Sequence, residues 1–466
     1  MTDETKPKPS KSDIYKPQVY QLPIASKSIF TTTADITDGA YIAQSLFTYG
    51  FQHYINFNKD KMSKLDKEKL KNKRLFHIVN PFEHTVPEYD KDIAHTAIKY
   101  FGLSDDTPGI ISRAFYKMWE IIVCFDLIPH TMKDFVSAHL AEGPGGFIQA
   151  TMFYRDKFSD SKYTKNDRYC TVTLHNDDKK TKSGIKYDDK FVECYSKQTP
   201  AKFVQHATVA TDASESDNGK DDGDLTNIKT IKLFRNQIQE LNKEYAYLVT
   251  ADGGFTWRNE NYQEQEAYRL ILGEILTAIS VQRKGGVFIC KIFGMFTPVT
   301  AKYMCILQEF YDNVVLYKPY TSRPSNSELY IVAISFKYEH DKKLEDKIKI
   351  MEELLDGMNK AETNGRYILD IFPKFVLSDD YKRVVKMINI TLSNIQFIAI
   401  NKIITYKDSG NYYGDSYHIY RDEQIRANNF WINTFLPLTA ADDKAMKAKI
   451  QKTILDTIAE NKTLVK

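Results

Sequence analysis

From about residue 110 to residue 338, short apolar runs that stop at glycine or charged residues alternate with longer amphipathic segments. Alternation of this kind builds βα units, and strands buried on both faces read as unbroken apolar runs. The pattern therefore predicts a largely parallel sheet with helices on both sides. Residues 262–284 show one such unit. Ala267, Leu270, Ile271, Ile275 and Ile279 recur at helical spacing, Lys284 falls in the last turn, Gly285 and Gly286 offer a left-handed cap, and Val287 to Cys290 begins the next buried strand.

The flanks differ from this core. Residues 1–25 carry Lys6-Pro7-Lys8-Pro9 and Lys16-Pro17 with few apolar positions, so they are expected to form a disordered basic tail. Residues 26–109 are expected to form an N-terminal, mainly helical extension. Within it, residues 59–74 hold eight Lys/Arg against three acids, a pattern that suits a solvated helix face better than an RNA-backbone contact. An insertion at about 205–224, acid-rich and without large apolar groups from 211 onward, interrupts the core. Residues 339–466 read as a C-terminal helical region. There Leu344, Ile348, Met351 and Leu355 form one stripe, and Ile450, Ile454 and Ile458 follow the capping pair Thr439 and Asp442. The tyrosine-rich stretch from Tyr406 to Trp431 suits either stacking on bases or covering the core.

Composition narrows the function classes. A net charge of +3 on 466 residues announces no polyanion partner, so a nucleic-acid surface has to be a local patch. No apolar run approaches the ~20 residues that span a bilayer, and the N-terminus lacks the apolar stretch of a signal peptide, so an intracellular protein without a membrane partner is expected. Five scattered cysteines suggest neither a disulfide framework nor a zinc site.

Two features carry chemistry. Phe135 to Leu140 runs into AEGPGGF and then a helix-compatible segment. A strand, a glycine turn and a helix N-terminus can meet the polar end of a ligand with backbone N–H groups, or can serve close packing alone. Neither G-x-G-x-x-G nor a P-loop occurs, so a smaller polar end, such as the amino-acid moiety of S-adenosylmethionine, suits the turn better than a pyrophosphate. The second feature is a set of charges at strand ends: Asp252 in LVTADGGF, Lys291 after Val287 to Cys290, and Glu328 at the start of Leu329 to Ser335. Lys117 joins them from ISRAFYKMWEIIVCF, on the helix face opposite Phe115, Met118, Trp119 and Ile122, where an i,i+3 ion pair with Glu120 is the simpler reading.

SRAFYKMWEI, LAEGPGGF, VTADGGF, GGVFICKIFGMFTP and KPYTSRPSNSELYIV resemble, in order, the motifs of the FtsJ/RrmJ-type 2′-O-ribose methyltransferases. They resemble most closely the branch that methylates the first transcribed nucleotide of capped mRNA in eukaryotes and large DNA viruses. The resemblance covers about 110–338 and implies a Rossmann-like S-adenosylmethionine-dependent methyltransferase fold, α/β with a doubly wound sheet. It assigns the family's Lys-Asp-Lys-Glu tetrad to Lys117, Asp252, Lys291 and Glu328. It places the S-adenosylmethionine site at Gly143, Pro144, Gly145, Gly146 and Phe147, with Asp252 facing the cofactor, and DDGDLTN resembles the family's adenosine-binding motif, which implicates Asp224 and Asp222. No metal is implied. Lys291 is expected to be the base, with Lys117 lowering its pKa from the ordinary ~10.4 and Asp252 and Glu328 orienting it. The implied partner is RNA, the capped mRNA 5′ end, with transcription or capping machinery as a further partner. The implied location is the nucleus, or a cytoplasmic replication site or particle if the protein is viral. Ribosomal or transfer RNA as substrate, and a non-catalytic RNA-binding subunit, are the alternatives.

Overall fold

The computed structural model describes residues 15–45, 47–67, 75–104, 108–174, 189–196, 202–205, 223–254, 257–409 and 414–463. Ten strands appear in it. They are β1 (Gln18–Gln21), β2 (Ile36–Gly39), β3 (Val136–Leu140), β4 (Arg168–Val172), β5 (Phe203–Gln205), β6 (Ala246–Ala251), β7 (Gln282–Ile292), β8 (Tyr311–Lys318), β9 (Leu329–Phe336) and β10 (Tyr367–Ile371). Eight of them form one sheet in the order β1-β8-β9-β7-β6-β3-β4-β5, and β10 pairs with β2 in a second, two-stranded sheet. β3 to β7 are mutually parallel, whereas β9 runs antiparallel to both β7 and β8, and β1 antiparallel to β8.

Strand alternation divides the core into two layers. Phe288 and Cys290 of β7 belong to one apolar cluster with the helices Tyr268–Val281, Pro298–Phe310 and Lys342–Thr363, while Val287 and Ile289 belong to the other with the helices Ala114–Phe125 and Gly146–Phe158. Helices on both faces of a mostly parallel sheet are the expected doubly wound α/β arrangement.

Several expectations need correction. Residues 15–25 belong to the fold rather than to a tail: Gln18 to Gln21 pair with Lys318 to Val315, and Val19 is fully buried. Four residues of edge strand give too short an alternation to stand out in a polar, proline-bearing segment. The flanking regions are not purely helical either, because β2 and β10 pair across about 330 residues of sequence separation. The helix expected over 262–284 ends at Val281, and Lys284, Gly285 and Gly286 lie inside β7. There the register slips against β6, Gly285 takes φ 74°, and the Gln282 side chain fills the gap by donating to Tyr247 O (2.8 Å) and Val287 O (3.2 Å). The Thr439–Asp442 capping box forms as expected, with Asp442 N donating to Thr439 Oγ1 (3.1 Å) and Thr439 N to Asp442 Oδ2 (3.1 Å). The basic run beyond Lys61 and the acidic insertion from 206 to 222 lie outside the residues whose side chains are described.

The helix Asp379–Asp408 is long and apolar enough to cross a membrane by length and composition alone. Its buried stripe of Tyr381, Val385, Ile388, Asn389, Ser393, Gln396 and Ile400 shows instead a helix packed against the protein along one face.

Glu120 binds the C-terminal region to the sheet. It is fully buried, and accepts hydrogen bonds from Trp431 Nε1 (2.9 Å), Tyr317 OH (2.8 Å), Thr321 N (3.3 Å) and Thr321 Oγ1 (3.2 Å), with Tyr320 N as a further donor. Burial pushes its carboxyl up to about 7 against the pull of these donors. The i,i+3 pair with Lys117 is therefore not made, and that lysine is left to face another partner. Trp431→Ala removes a fully buried ring and one of the Glu120 donors, and should cost about 3–5 kcal/mol of unfolding free energy in urea titrations. A loss under about 1 kcal/mol would show that the C-terminal helices are not part of the cooperative unit.

Candidate active site

The four strand-end charges meet at one edge of the sheet. Asp252 directly follows β6, and Lys291 is the penultimate residue of the neighbouring parallel strand β7. Glu328 stands at the start of β9, and because β9 runs the other way its beginning lies beside the end of β7, with Lys291 opposite Tyr330. Lys291 Nζ lies 3.1 Å from Asp252 Oδ1 and donates to Asp252 O at 2.8 Å. Lys117 Nζ lies 2.8 Å from both oxygens of Glu328. All four side chains are largely buried, with 11–15% exposure. Pairs this dry persist only because each charge has its partner in place.

The electrostatics differ from expectation in one respect. Burial by itself would lower the Lys291 pKa, but Asp252, Glu328 and Glu274 outweigh it and hold the ammonium above its ordinary value. Lys117 is paired with Glu328, and no lowering by Lys117 prevails at Lys291. Glu328 itself is pulled down to about 2, the cost of burial being overcome by Lys117, Lys291 and Lys318.

Three further residues complete the arrangement. Tyr330 is fully buried and donates its hydroxyl at 3.0 Å to Asp252 Oδ1, the same oxygen that Lys291 Nζ approaches, so both hold that carboxylate in place. Lys318, the last residue of β8, is 6% exposed, and its Nζ donates to Glu328 O (2.8 Å), Asn326 O (3.2 Å), Asn326 Oδ1 (2.9 Å) and Ser322 Oγ (3.4 Å). Burial lowers it to about 7, opposed by Glu328 and reinforced by Lys117 and Lys59. Its sequence signal is the same as that of Lys291, a lysine closing an apolar strand. Glu83, in NPFE, is buried and receives Asn80 Nδ2 (2.8 Å) and Arg323 Nε (3.1 Å), with Arg113 Nη1 at 3.4 Å. It ties the N-terminal extension to the loop that carries Glu328; among 61 acidic residues nothing local marked it.

The glycine turn lies at the same edge. Asp252 N approaches Leu140 O at 3.4 Å, and Ala141 N donates to Val172 O at 2.8 Å, which ties the turn to the ends of β6 and β4. Gly145 takes φ 112° immediately before the helix Gly146–Phe158, whose first N–H groups have no partners within that helix. Gly146 answers a packing need: a Cβ there would meet Ser112 Oγ at 2.5 Å and Ala114 Cβ at 2.9 Å. The Phe147 ring belongs to the core beneath, 5.7 Å from the Tyr330 ring, so only its backbone can face a ligand. Beneath the turn, His139 Nδ1 lies 2.7 Å from Thr250 Oγ1 and 3.1 Å from Glu142 Oε2. Burial drives His139 down to about 3 and raises the Glu142 carboxyl well above its ordinary value, against the pull of the Thr250 hydroxyl and Lys291. Asp224 caps the turn into the helix Ile228–Leu241 by accepting from Thr226 N (2.8 Å), whereas Asp222 lies outside the described residues.

One buried polar atom at this edge, Thr173 Oγ1, just beyond β4, lacks a hydrogen-bond partner, and a Cβ at Gly253 would meet Glu274 Oε1 at 2.2 Å. Free helix-start N–H groups and an orphaned hydroxyl beside them fit a ligand with an amino-acid end and a ribose, as S-adenosylmethionine has.

A doubly wound sheet with a glycine turn and a charged tetrad at its C-terminal edge defines a Rossmann-like, S-adenosylmethionine-dependent methyltransferase domain. Residues 110–336 match the FtsJ-like methyltransferase family. The cap-specific mRNA (nucleoside-2′-O-)-methyltransferase 1 of Danio rerio is 34% identical over 189 residues, which cover 40% of this chain and 22% of that protein. The inactive cap-specific mRNA (nucleoside-2′-O-)-methyltransferase 1B of Caenorhabditis briggsae is 28% identical over 212 residues, 44% of this chain and 25% of that protein. The matches thus take in about a quarter of the relatives' lengths. Among solved structures, a Plasmodium falciparum protein described as a ribosomal RNA methyltransferase covers 49% of this chain and 99% of its own at 15% identity, with a TM-score of 0.30.

Because Glu328 is depressed in the folded state, the unfolded chain binds more protons between pH ~2 and ~4.5, and stability rises with pH across that window. The contribution is on the order of 3 kcal/mol and should be fully present above pH ~5. Glu328→Gln should lose less stability than the wild type on acidification from pH 6 to pH 3.5 in thermal melts; equal losses would place the titration elsewhere.

Proposed function

We propose that this domain transfers a methyl group from S-adenosylmethionine to the ribose 2′-OH of RNA, at the first transcribed nucleotide of capped mRNA. The observation that carries this reading is the meeting of Lys117, Asp252, Lys291 and Glu328 at the edge where the glycine turn offers its N–H groups. The family match supports the reaction, and the cap-specific relatives support the substrate.

When bound, S-adenosylmethionine supplies an activated methyl on a positively charged sulfur. The chain's task is then to hold a weak nucleophile in line and to take its proton. The 2′ oxygen would accept the methyl that S-adenosylmethionine supplies and give up its proton. The hydroxyl proton passes to Lys291 Nζ. With Asp252 and Glu328 beside it, Lys291 rests as the ammonium at neutral pH, so the base must be generated. A positive charge brought next to Lys291 opposes the two carboxylates and favours the free amine. Asp252, held by Tyr330, keeps Nζ oriented, and Glu328 holds Lys117, which is placed to donate to the reacting oxygen.

One relative is named inactive, so retention of the fold without turnover is a second reading. A complete tetrad in paired, buried geometry argues against it, since a scaffold gains nothing from four buried charges at strand ends.

Tritiated methyl transfer to capped and uncapped transcripts, followed by digestion to nucleosides, tests the proposal. The expected product is a 2′-O-methylated first nucleotide, formed on capped RNA. Lys291→Ala should reduce transfer at least about 10²-fold while leaving S-adenosylhomocysteine affinity within a few fold. Near-normal turnover by that variant would remove Lys291 from the role of base.

A further inference from the structure

We propose that the cleft between the loop preceding Glu328 and the helix Asp379–Asp408 binds a nucleobase of the RNA, one adjoining the ribose that is methylated. The proposal rests on the reading of the tetrad given above. The cleft is open to solvent and is bounded by the segment after β7, the end of β8, the loop before β9 and one face of the helix Asp379–Asp408. It opens beside the site: Leu329, which lines it, directly follows Glu328, and Lys318, at its inner end, donates to Glu328 O at 2.8 Å. A ribose reacting at the tetrad carries one base on C1′ and a second on the nucleotide joined through its 3′ oxygen. A base must therefore rest close to this carboxylate.

The lining suits a base better than the other parts of a nucleotide. Phe296, Pro324, Leu329 and Leu392 present apolar surface for a flat ring, while Asn389 and Ser393 supply a polar edge. Ser393 is the specific observation. It is 2% exposed, and its Oγ has no hydrogen-bond partner. A helical serine ordinarily satisfies its hydroxyl on the carbonyl four residues back, and Ser393 does not. A hydroxyl both donates and accepts, so it tolerates any base edge. Phosphate fits poorly, because the ammonium of Lys318 is already engaged by Asn326, Ser322 and the Glu328 carbonyl. Asn389, pinned by Nδ2 donating to Met295 O (2.8 Å), and Gln396, whose Nε2 donates to Ser325 O (3.0 Å), hold the helix against the two loops so that the cleft stays shaped.

The test measures binding of short capped RNAs to the full chain saturated with S-adenosylhomocysteine, with the base present or deleted at the first or second nucleotide. In the wild type, an abasic residue at one of these positions should weaken binding about tenfold. Ser393→Phe, which fills the cleft, should weaken binding of the intact RNA by a similar factor and make the same base deletion nearly silent, under about twofold. It should raise KM for RNA while leaving kcat at saturating RNA unchanged. Additive losses, or no effect of base deletion in the wild type, would overturn the assignment. As a measurement independent of the variant's folding, 4-thiouridine at the sensitive position should crosslink the wild-type protein within 294–296 or 389–396, and crosslinks found only elsewhere overturn it as well. Wild-type protein that methylates no RNA would defeat the functional reading and this proposal together, whereas methylation with additive losses defeats this proposal alone.

Discussion

Mutual neutralisation of buried charge at one sheet edge is the constraint on which the site depends. Lysine and carboxylate side chains leave water only when an opposite charge waits at hydrogen-bond distance, and here each has one: Lys291 has Asp252, and Lys117 has Glu328. Topology makes the meeting possible. Parallel strands deliver their last residues to a common edge, which brings Asp252 and Lys291 together from β6 and β7. Glu328 begins a strand rather than ending one, so it reaches that edge only because β9 is inserted antiparallel between β7 and β8. Reversing one strand lets a carboxylate at its start face two lysines.

Much of this arrangement was legible in the sequence because it is local. A run such as VFICK states both that a strand is buried and that its last side chain is charged, and the glycines of LAEGPGGF and TADGGF mark where those strands stop. Residues whose role depends on distant partners were not legible. Glu120 stands three residues from Lys117 and invites an ion pair, yet its partners Trp431 and Tyr317 are about 200 to 300 residues away. Tyr330 looks like one more aromatic residue in an apolar strand until β7 is placed beside it. β1 failed to stand out for a different reason, being too short for its alternation to show, although its pairing with β8 covers an otherwise open edge.

The expectation about Lys291 failed for an instructive reason. A second lysine lowers a neighbour's pKa only if its effect exceeds that of the carboxylates present, and at Lys291 the carboxylates Asp252, Glu328 and Glu274 prevail. Lys318, by contrast, is lowered by burial, and its hydrogen bonds run mainly to neutral oxygens. Burial against neutral acceptors moves a lysine pKa down, and burial against a carboxylate does not.

The regions outside the family match acquire a purpose from where their polar contacts fall. Glu83 from the N-terminal extension reaches Arg323, Gln396 from the long C-terminal helix reaches Ser325, and Trp431 and Thr321 share the carboxylate of Glu120. All of these contacts hold residues 317–328, the segment that carries Glu328 to the site. A loop of this length left alone would sample many conformations, and a carboxylate on it would spend little time opposite Lys117. The extensions therefore bear on the site in part through this segment, by limiting where Glu328 can be.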